Sequence, residues 1–251
     1  MDLSVYLTSQ MAGIIVVFSR IGSAMVFMPG FAETQISVRS RLMFAVILSM
    51  ALYAATPIGP LQFNSWLQFV PLMAIEITIG LWIGLTARII MTALQFAGYQ
   101  IGLVSGLANV FAPNMNTFQG ATVIASALLM LQLTLIFAAN LHHVIIRALL
   151  MSYEIFPPGQ IMLGDLAAQI IKAADKSLYI GLSLTAPFYV MGMIMNAGLA
   201  LANRMMPSLP VFFVAGPILI GAGLFIFATS GPYMVRGFQE TFANWLGTLS
   251  F

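Results

Sequence analysis

Cysteine is absent from all 251 residues, which excludes disulfides, thiol catalysis and cysteine-type zinc sites, and leaves the redox compartment open. Charge is almost as scarce. Asp, Glu, Lys and Arg make up 6% of the chain, against about 25% in an ordinary soluble domain. Such a chain cannot cover itself with a solvated surface, so it needs lipid or other subunits around it. No basic run exceeds the Arg39-Ser40-Arg41 cluster, and a net charge of +2 spread over nine cations is too diffuse for nucleic acid. A phosphate loop, a Ser/His/Asp constellation and an H-E-x-x-H sequence are all missing. No enzyme activity and no cofactor or metal are therefore expected. The N-terminus "MDLSVYLTSQ" lacks a basic region and a convincing cleavage site, so the first span is expected to be retained.

Apolar residues fill the gap, at 61% of the chain. A helix needs about 20 mostly apolar residues to cross the hydrocarbon. Candidate spans are 11–29, 42–58, 67–93, 121–140, 177–203 and 209–230, with a seventh, Gly- and amide-rich helix over 94–110. The expected fold is all-α, a polytopic membrane-type protein of helical hairpins. Several spans carry blemishes: Arg20 in the first, Glu76 and Arg88 in the third, Pro187 and Asn196 in the sixth. Charges at bilayer depth cost about 2.5–3.5 kcal/mol each on insertion scales, so they face protein or water. Arg20 should then meet a carboxylate or a row of backbone carbonyls. The positive charge of the 31–41 loop places that loop on the cytoplasmic side.

Charge gathers in 141–176, with Pro157-Pro158-Gly159 inside it, and this region reads as a seam between two blocks, 1–165 and 166–251. His142 and His143 are adjacent, so on a helix they point about 100° apart and cannot share one ion on a face. "GYQIGLVSG" sets Gly98, Gly102 and Gly106 four residues apart, and Gly80 and Gly84 repeat that spacing. Small residues on one stripe let a second backbone approach closely. The loop "FAPNMNTFQG" carries Phe111, Pro113, Met115 and Phe118 among amides. Large soft side chains are out of place in a polar loop that only connects two spans.

Four stretches in order, "SRIGSAMVFMPGF" followed by "SVRSRLMFAVILS", then "FAGYQIGLVSGLANVFAP", "LHHVIIRALLMSYEIFPPG" and "NRMMPSLPVFFVAGPILIGAGL", resemble the FliR family of flagellar export-gate proteins and its injectisome relatives. Two positions depart from the family's pattern: Ala112 stands where an Asp is usual, and Leu141 where a Gly is usual. The resemblance implies an N-terminal FliP-like block and a C-terminal FliQ-like hairpin in a hetero-oligomeric helical ring at the inner membrane, within the flagellar basal body. It implies FliP-like and FliQ-like gate subunits, FlhB-like and FlhA-like export proteins, rod proteins and unfolded export substrates as partners. It further implies that much of the assembly stands out of the bilayer, with protein walling Arg20, Glu76 and Arg88. Phe111, Met115 and Phe118 would then form a plug that dewets the pore. The competing reading is a small-solute permease with an intramembrane Glu76/Arg88 site.

Overall fold

The computed structural model describes residues 3–58, 66–107, 123–160, 163–205 and 211–249. Seven helices occupy them: α1 (Leu3–Met25), α2 (Val38–Tyr53), α3 (Trp66–Val104), α4 (Val123–Ala138), α5 (Leu141–Ile155), α6 (Leu163–Met205) and α7 (Val211–Thr248). No strand occurs among the described residues. Four helices are long and apolar enough to cross a membrane, or five if the bent α4–α5 pair is one span.

Helix boundaries differ from the sequence expectation: α6 begins at Leu163 rather than 177, α7 runs to Thr248 rather than 230, and three further differences have local causes. The expected break between 67–93 and 94–110 is absent, because α3 runs continuously from Trp66 to Val104. The glycines of its second half therefore sit inside a helix, where they create room for a neighbour. The expected 42–58 span shrinks to the 16 residues of α2. The expected 121–140 span ends at Ala138, where Asn140 adopts a left-handed conformation (φ 57°) and the chain turns by 76° into α5. Asn is among the few residues that visit this region readily, so a polar letter at the end of an apolar run became a corner.

Three helices are far longer than a bilayer requires. At 1.5 Å per residue, the 39, 43 and 38 residues of α3, α6 and α7 have contours of about 57–65 Å. The hydrocarbon core is about 30 Å thick and helix tilt rarely exceeds about 40°. Part of each helix thus extends beyond the hydrocarbon. Pro71, Pro187, Pro217 and Pro232 lie within these helices, as membrane-type helices tolerate when neighbours satisfy the freed carbonyls.

By packing, the chain divides into two compact units: Met1–Ile90 with Leu135–Ala174 and Phe242–Phe251, and Met91–Thr134 with Asp175–Thr241. In the first, Val17, Ile21, Met25, Ile79, Ile83 and Ile145 are fully buried. There the backbone of α1 lies directly against α3: a methyl group on Gly80 would collide with the Arg20 carbonyl, and one on Gly84 with the Ala24 carbonyl. The second unit centres on Leu94, Ala97, Ile101, Phe188 and Phe238. Here Gly98 abuts the backbone of Ala125 in α4.

These contacts make a prediction. Gly80→Ala and Gly98→Ala press a methyl group onto backbone, which cannot rotate away, and should each cost about 1–3 kcal/mol. Gly198→Ala, in open space, should be neutral or slightly stabilising through helix propensity. Thermal unfolding of the three variants in detergent, read by loss of monodispersity, checks the ordering.

Candidate functional site

The charges that the sequence places in apolar helices converge in the first unit. Arg20 comes from the C-terminal part of α1 and Glu76 from α3, and both side chains have 0% exposure. The guanidinium meets the carboxylate side-on, with Nε donating to Oε2 at 2.6 Å and Nη2 to Oε1 at 3.1 Å. Nη1 donates to the Ser152 carbonyl at 2.9 Å and its hydroxyl at 3.3 Å, and Nη2 also donates to the Phe156 carbonyl at 3.0 Å. A guanidinium carries five N–H donors, and these five bonds use them all. Below its plane the Tyr153 ring lies 4.0 Å from the central carbon, a cation–π contact strengthened by the dry surroundings.

Local sequence explains why those carbonyls are available. Phe156 precedes Pro157, and the residue before a proline is driven out of the helical region. Phe156 accordingly leaves the helix at φ −118° and ψ 87°. The Ser152 carbonyl still accepts the Phe156 N–H at 2.9 Å but keeps a second lone pair, and with the Phe156 carbonyl it stands at the negative end of the helix dipole. Arg20 covers that end. Two residues later Gly159, at φ +78°, turns its backbone N–H onto Glu76 Oε1 at 3.3 Å. One ion pair thereby fastens α1, α3, the end of α5 and the turn after it.

Arg88 lies elsewhere in the arrangement. It pairs with Glu33, Nη1 to Oε1 at 2.6 Å, with the side chains 33% and 12% exposed. Arg41 donates to the carbonyls of Phe31 and Glu33, so two arginines hold the segment between α1 and α2. Glu76 and Arg88 do not form a pair: twelve residues apart on α3, they are separated by about 18 Å of rise, and each has its own partner. The intramembrane site that a permease would need is not assembled from these residues. The sequence offered no sign of Ser152, Phe156 or Gly159, since two of them act through backbone atoms. Glu33 was hidden by its place in a loop that reads as water-facing.

The glycine ladder divides by role. Gly98 and Gly102 are buried within α3. Gly106 lies past the helix end at φ +70°, where its N–H bonds to the Leu103 carbonyl. It is the stop of α3, not a third rung; the left-handed position after a helix favours glycine. Phe111, Pro113, Met115 and Phe118 fall outside the described residues. His142 stacks on Phe137, with ring centroids 5.6 Å apart, and lies 4.1 Å from the His143 ring. No group of three His, Cys, Asp or Glu able to hold a metal occurs among the described residues.

These features define a class: a polytopic all-helical membrane protein whose deepest charges are consumed internally. Comparison with known proteins narrows it. The chain matches the family described as bacterial export proteins, family 1, over residues 11–245, and it belongs to that family. It is 35% identical over 225 residues to the flagellar biosynthetic protein FliR of Caulobacter vibrioides, covering 87% of this chain and 89% of the relative. The FliR proteins of Aquifex aeolicus (28% over 235 residues, 90% and 89% covered) and Escherichia coli (26% over 218 residues, 86% and 83% covered) are similar along nearly the same length.

Removing one partner of a buried ion pair typically costs about 3–5 kcal/mol. Arg20→Leu and Glu76→Leu should therefore each abolish stable protein, whereas Arg204→Leu, at an exposed position, should not. Arg20→Lys should fail as well, because an ammonium cannot reach a carboxylate and a helix end in one plane. The double variant Arg20→Met/Glu76→Leu should recover much of the loss, since it leaves no unpaired charge. Membrane-fraction yield and melting temperature of these five variants against the parent measure this coupling.

Proposed function

We propose that the chain is a subunit of the flagellar type III protein export gate, placed in the bacterial inner membrane at the flagellar basal body. The observation that carries this reading is the family match over residues 11–245, together with relatives that all bear the name flagellar biosynthetic protein FliR. The role is transport of unfolded flagellar proteins, not catalysis, and it requires no cofactor. The chain works in a hetero-oligomer with FliP-like and FliQ-like subunits, beside FlhB-like and FlhA-like export proteins, and passes substrates towards the rod.

Residues 1–165 act as the FliP-like block and 166–251 as the FliQ-like hairpin, the latter corresponding to nearly all of α6 and α7. The long contours of α3, α6 and α7 support an assembly that rises out of the hydrocarbon. Closure falls to the segment between α3 and α4. Pro113 and the amides are residue types that favour turns, while Phe111, Met115 and Phe118 supply apolar bulk. In a pore a few ångströms in radius, such side chains expel water and raise the barrier to ions. A charged plug would hold water in place.

Two expectations test this reading. The chain expressed alone should aggregate, and co-expression with FliP-like and FliQ-like partners should yield a monodisperse complex; a stable monomer in detergent would count heavily against hetero-oligomeric function. Deleting residues 112–119, or replacing Phe111, Met115 and Phe118 by Gly, should leave assembly intact and make the membrane leaky to ions and small solutes. Conductance of the assembled complex in planar bilayers is the readout. Parental tightness after the deletion would leave the segment a mere connector.

A further inference from the structure

The surface of α2 is divided by side-chain size. Its small residues Ala45 and Ser49 are buried, and the Ser49 hydroxyl is satisfied by the Ala45 carbonyl at 2.6 Å. Around the rest of the helix Leu42, Met43, Phe44, Val46, Ile47 and Met50 are exposed, with Met43 and Ile47 above 60%. None of these side chains can form an ordinary hydrogen bond. Contacts between membrane helices favour small residues that bring backbones together. On α2 Ala45 and Ser49 are spent inside the first unit, the exposed Ser40 and Ala51 lie towards its two ends, and the outward face between them offers bulk.

The two ends of the helix differ in kind. Arg39 at its start is exposed and takes part in neither ion pair found among the described residues. At the other end Tyr53 lies over Gly13 of α1, within electrostatic reach of Tyr6. A basic residue at one boundary, tyrosines at the other and hydrocarbon between them is the order in which a bilayer interface sorts side chains. From Arg39 to Tyr53 the rise is about 21 Å, short of a hydrocarbon core of about 30 Å. Arginine reaches outward along its stem to make up part of the difference, and local thinning of the bilayer supplies the remainder.

We propose that the outward face of α2 is a lipid-contact surface of the assembled gate, taking phospholipid acyl chains along Met43, Ile47 and Met50 and an anionic phosphate headgroup at Arg39. The inference rests on the reading of the chain as a membrane-embedded gate subunit and assigns one of its faces to lipid rather than to a neighbouring subunit. Because the chain has no cysteine, single cysteines can report on it without background from its own sequence.

The test uses the co-expressed gate complex in nanodiscs of phosphatidylethanolamine and phosphatidylglycerol, with bimane on Met43→Cys, Ile47→Cys, Met50→Cys or Ala45→Cys. Brominated acyl chains should quench the first three and spare the buried Ala45 position. Brominated phosphatidylglycerol should quench a label at Val38→Cys about fivefold more effectively than the brominated zwitterionic lipid at low salt, the scale set by one basic residue near an anionic surface. Arg39→Gln should remove that preference. An Ile47→Trp variant gives a second reading: lipid accommodates the larger ring and assembly stays at the parental level. Absence of bromolipid quenching at Met43, Ile47 and Met50, or loss of assembly in Ile47→Trp, overturns the inference and assigns the face to protein. Motility complementation and partner co-purification by the same variants test the gate reading separately.

Discussion

The first unit depends on a pair of charges that water never reaches. Moving an isolated carboxylate or guanidinium into such a site costs several kcal/mol even after relaxation. Arg20 and Glu76 offset that cost only because every N–H of the guanidinium finds an acceptor and the carboxylate gains a backbone donor from Gly159. The geometry tolerates little displacement. Glu76 must stand beside Arg20, which requires α1 and α3 to lie closer than ordinary side chains allow. Gly80, one turn beyond Glu76, provides that closeness, and Gly84 repeats it one turn further. The glycines and the ion pair are parts of one device, since each position is useful only if the other is kept.

The same pair governs where the chain bends. An α5 ending in open hydrocarbon would leave bare carbonyls, at a cost of several kcal/mol each. Pro157 forces the ending, and Arg20 makes it tolerable. The Arg88–Glu33 contact belongs to another regime. With a third of the arginine side chain exposed, it resembles a surface ion pair, for which about 0–1 kcal/mol is usual. Its effect is to tether the segment between α1 and α2 rather than to define the packing. Two arginines in apolar helices thus perform unequal tasks, and burial separates them.

Much of this was legible in the letters, and the limits have physical causes. Scarce charge and long apolar runs imply helices in a membrane, and a lone Arg20 in such a helix implies a buried acceptor. The identity of the acceptor was not legible. Glu76 lies 56 residues away, and helices apolar on all sides show no phase that says which face meets which neighbour. The Ser152 and Phe156 carbonyls are backbone groups, common to every residue type. The continuity of α3 was misread because Gly and amides signal a break in water, while in an apolar setting they admit a neighbouring backbone. Gly106 looked like its neighbours in spacing, yet it sits one step past the helix end, where the same letter serves left-handed geometry instead of contact.

The open glycines of the described residues gather on α6 and α7, beside filled ones on the same helices. Gly80, Gly84 and Gly98, all on α3, are pressed against another backbone. On α6 and α7, Gly181, Gly192 and Gly223 are filled by Phe96, Val104 and Ser105, whereas Gly198, Gly216, Gly221, Gly231 and Gly237 have no atom of the described residues within 4 Å of where a methyl group would stand. Each glycine inside a helix costs about 0.8–1.0 kcal/mol relative to alanine, so five unfilled positions represent roughly 4–5 kcal/mol of lost helix stability. Among the described residues nothing fills these five positions. Close approach by helices of other subunits would, because small residues on membrane helices are useful where a second backbone lies against them. On α2, by comparison, Ala45 and Ser49 are covered and the middle of the outward face carries large apolar side chains.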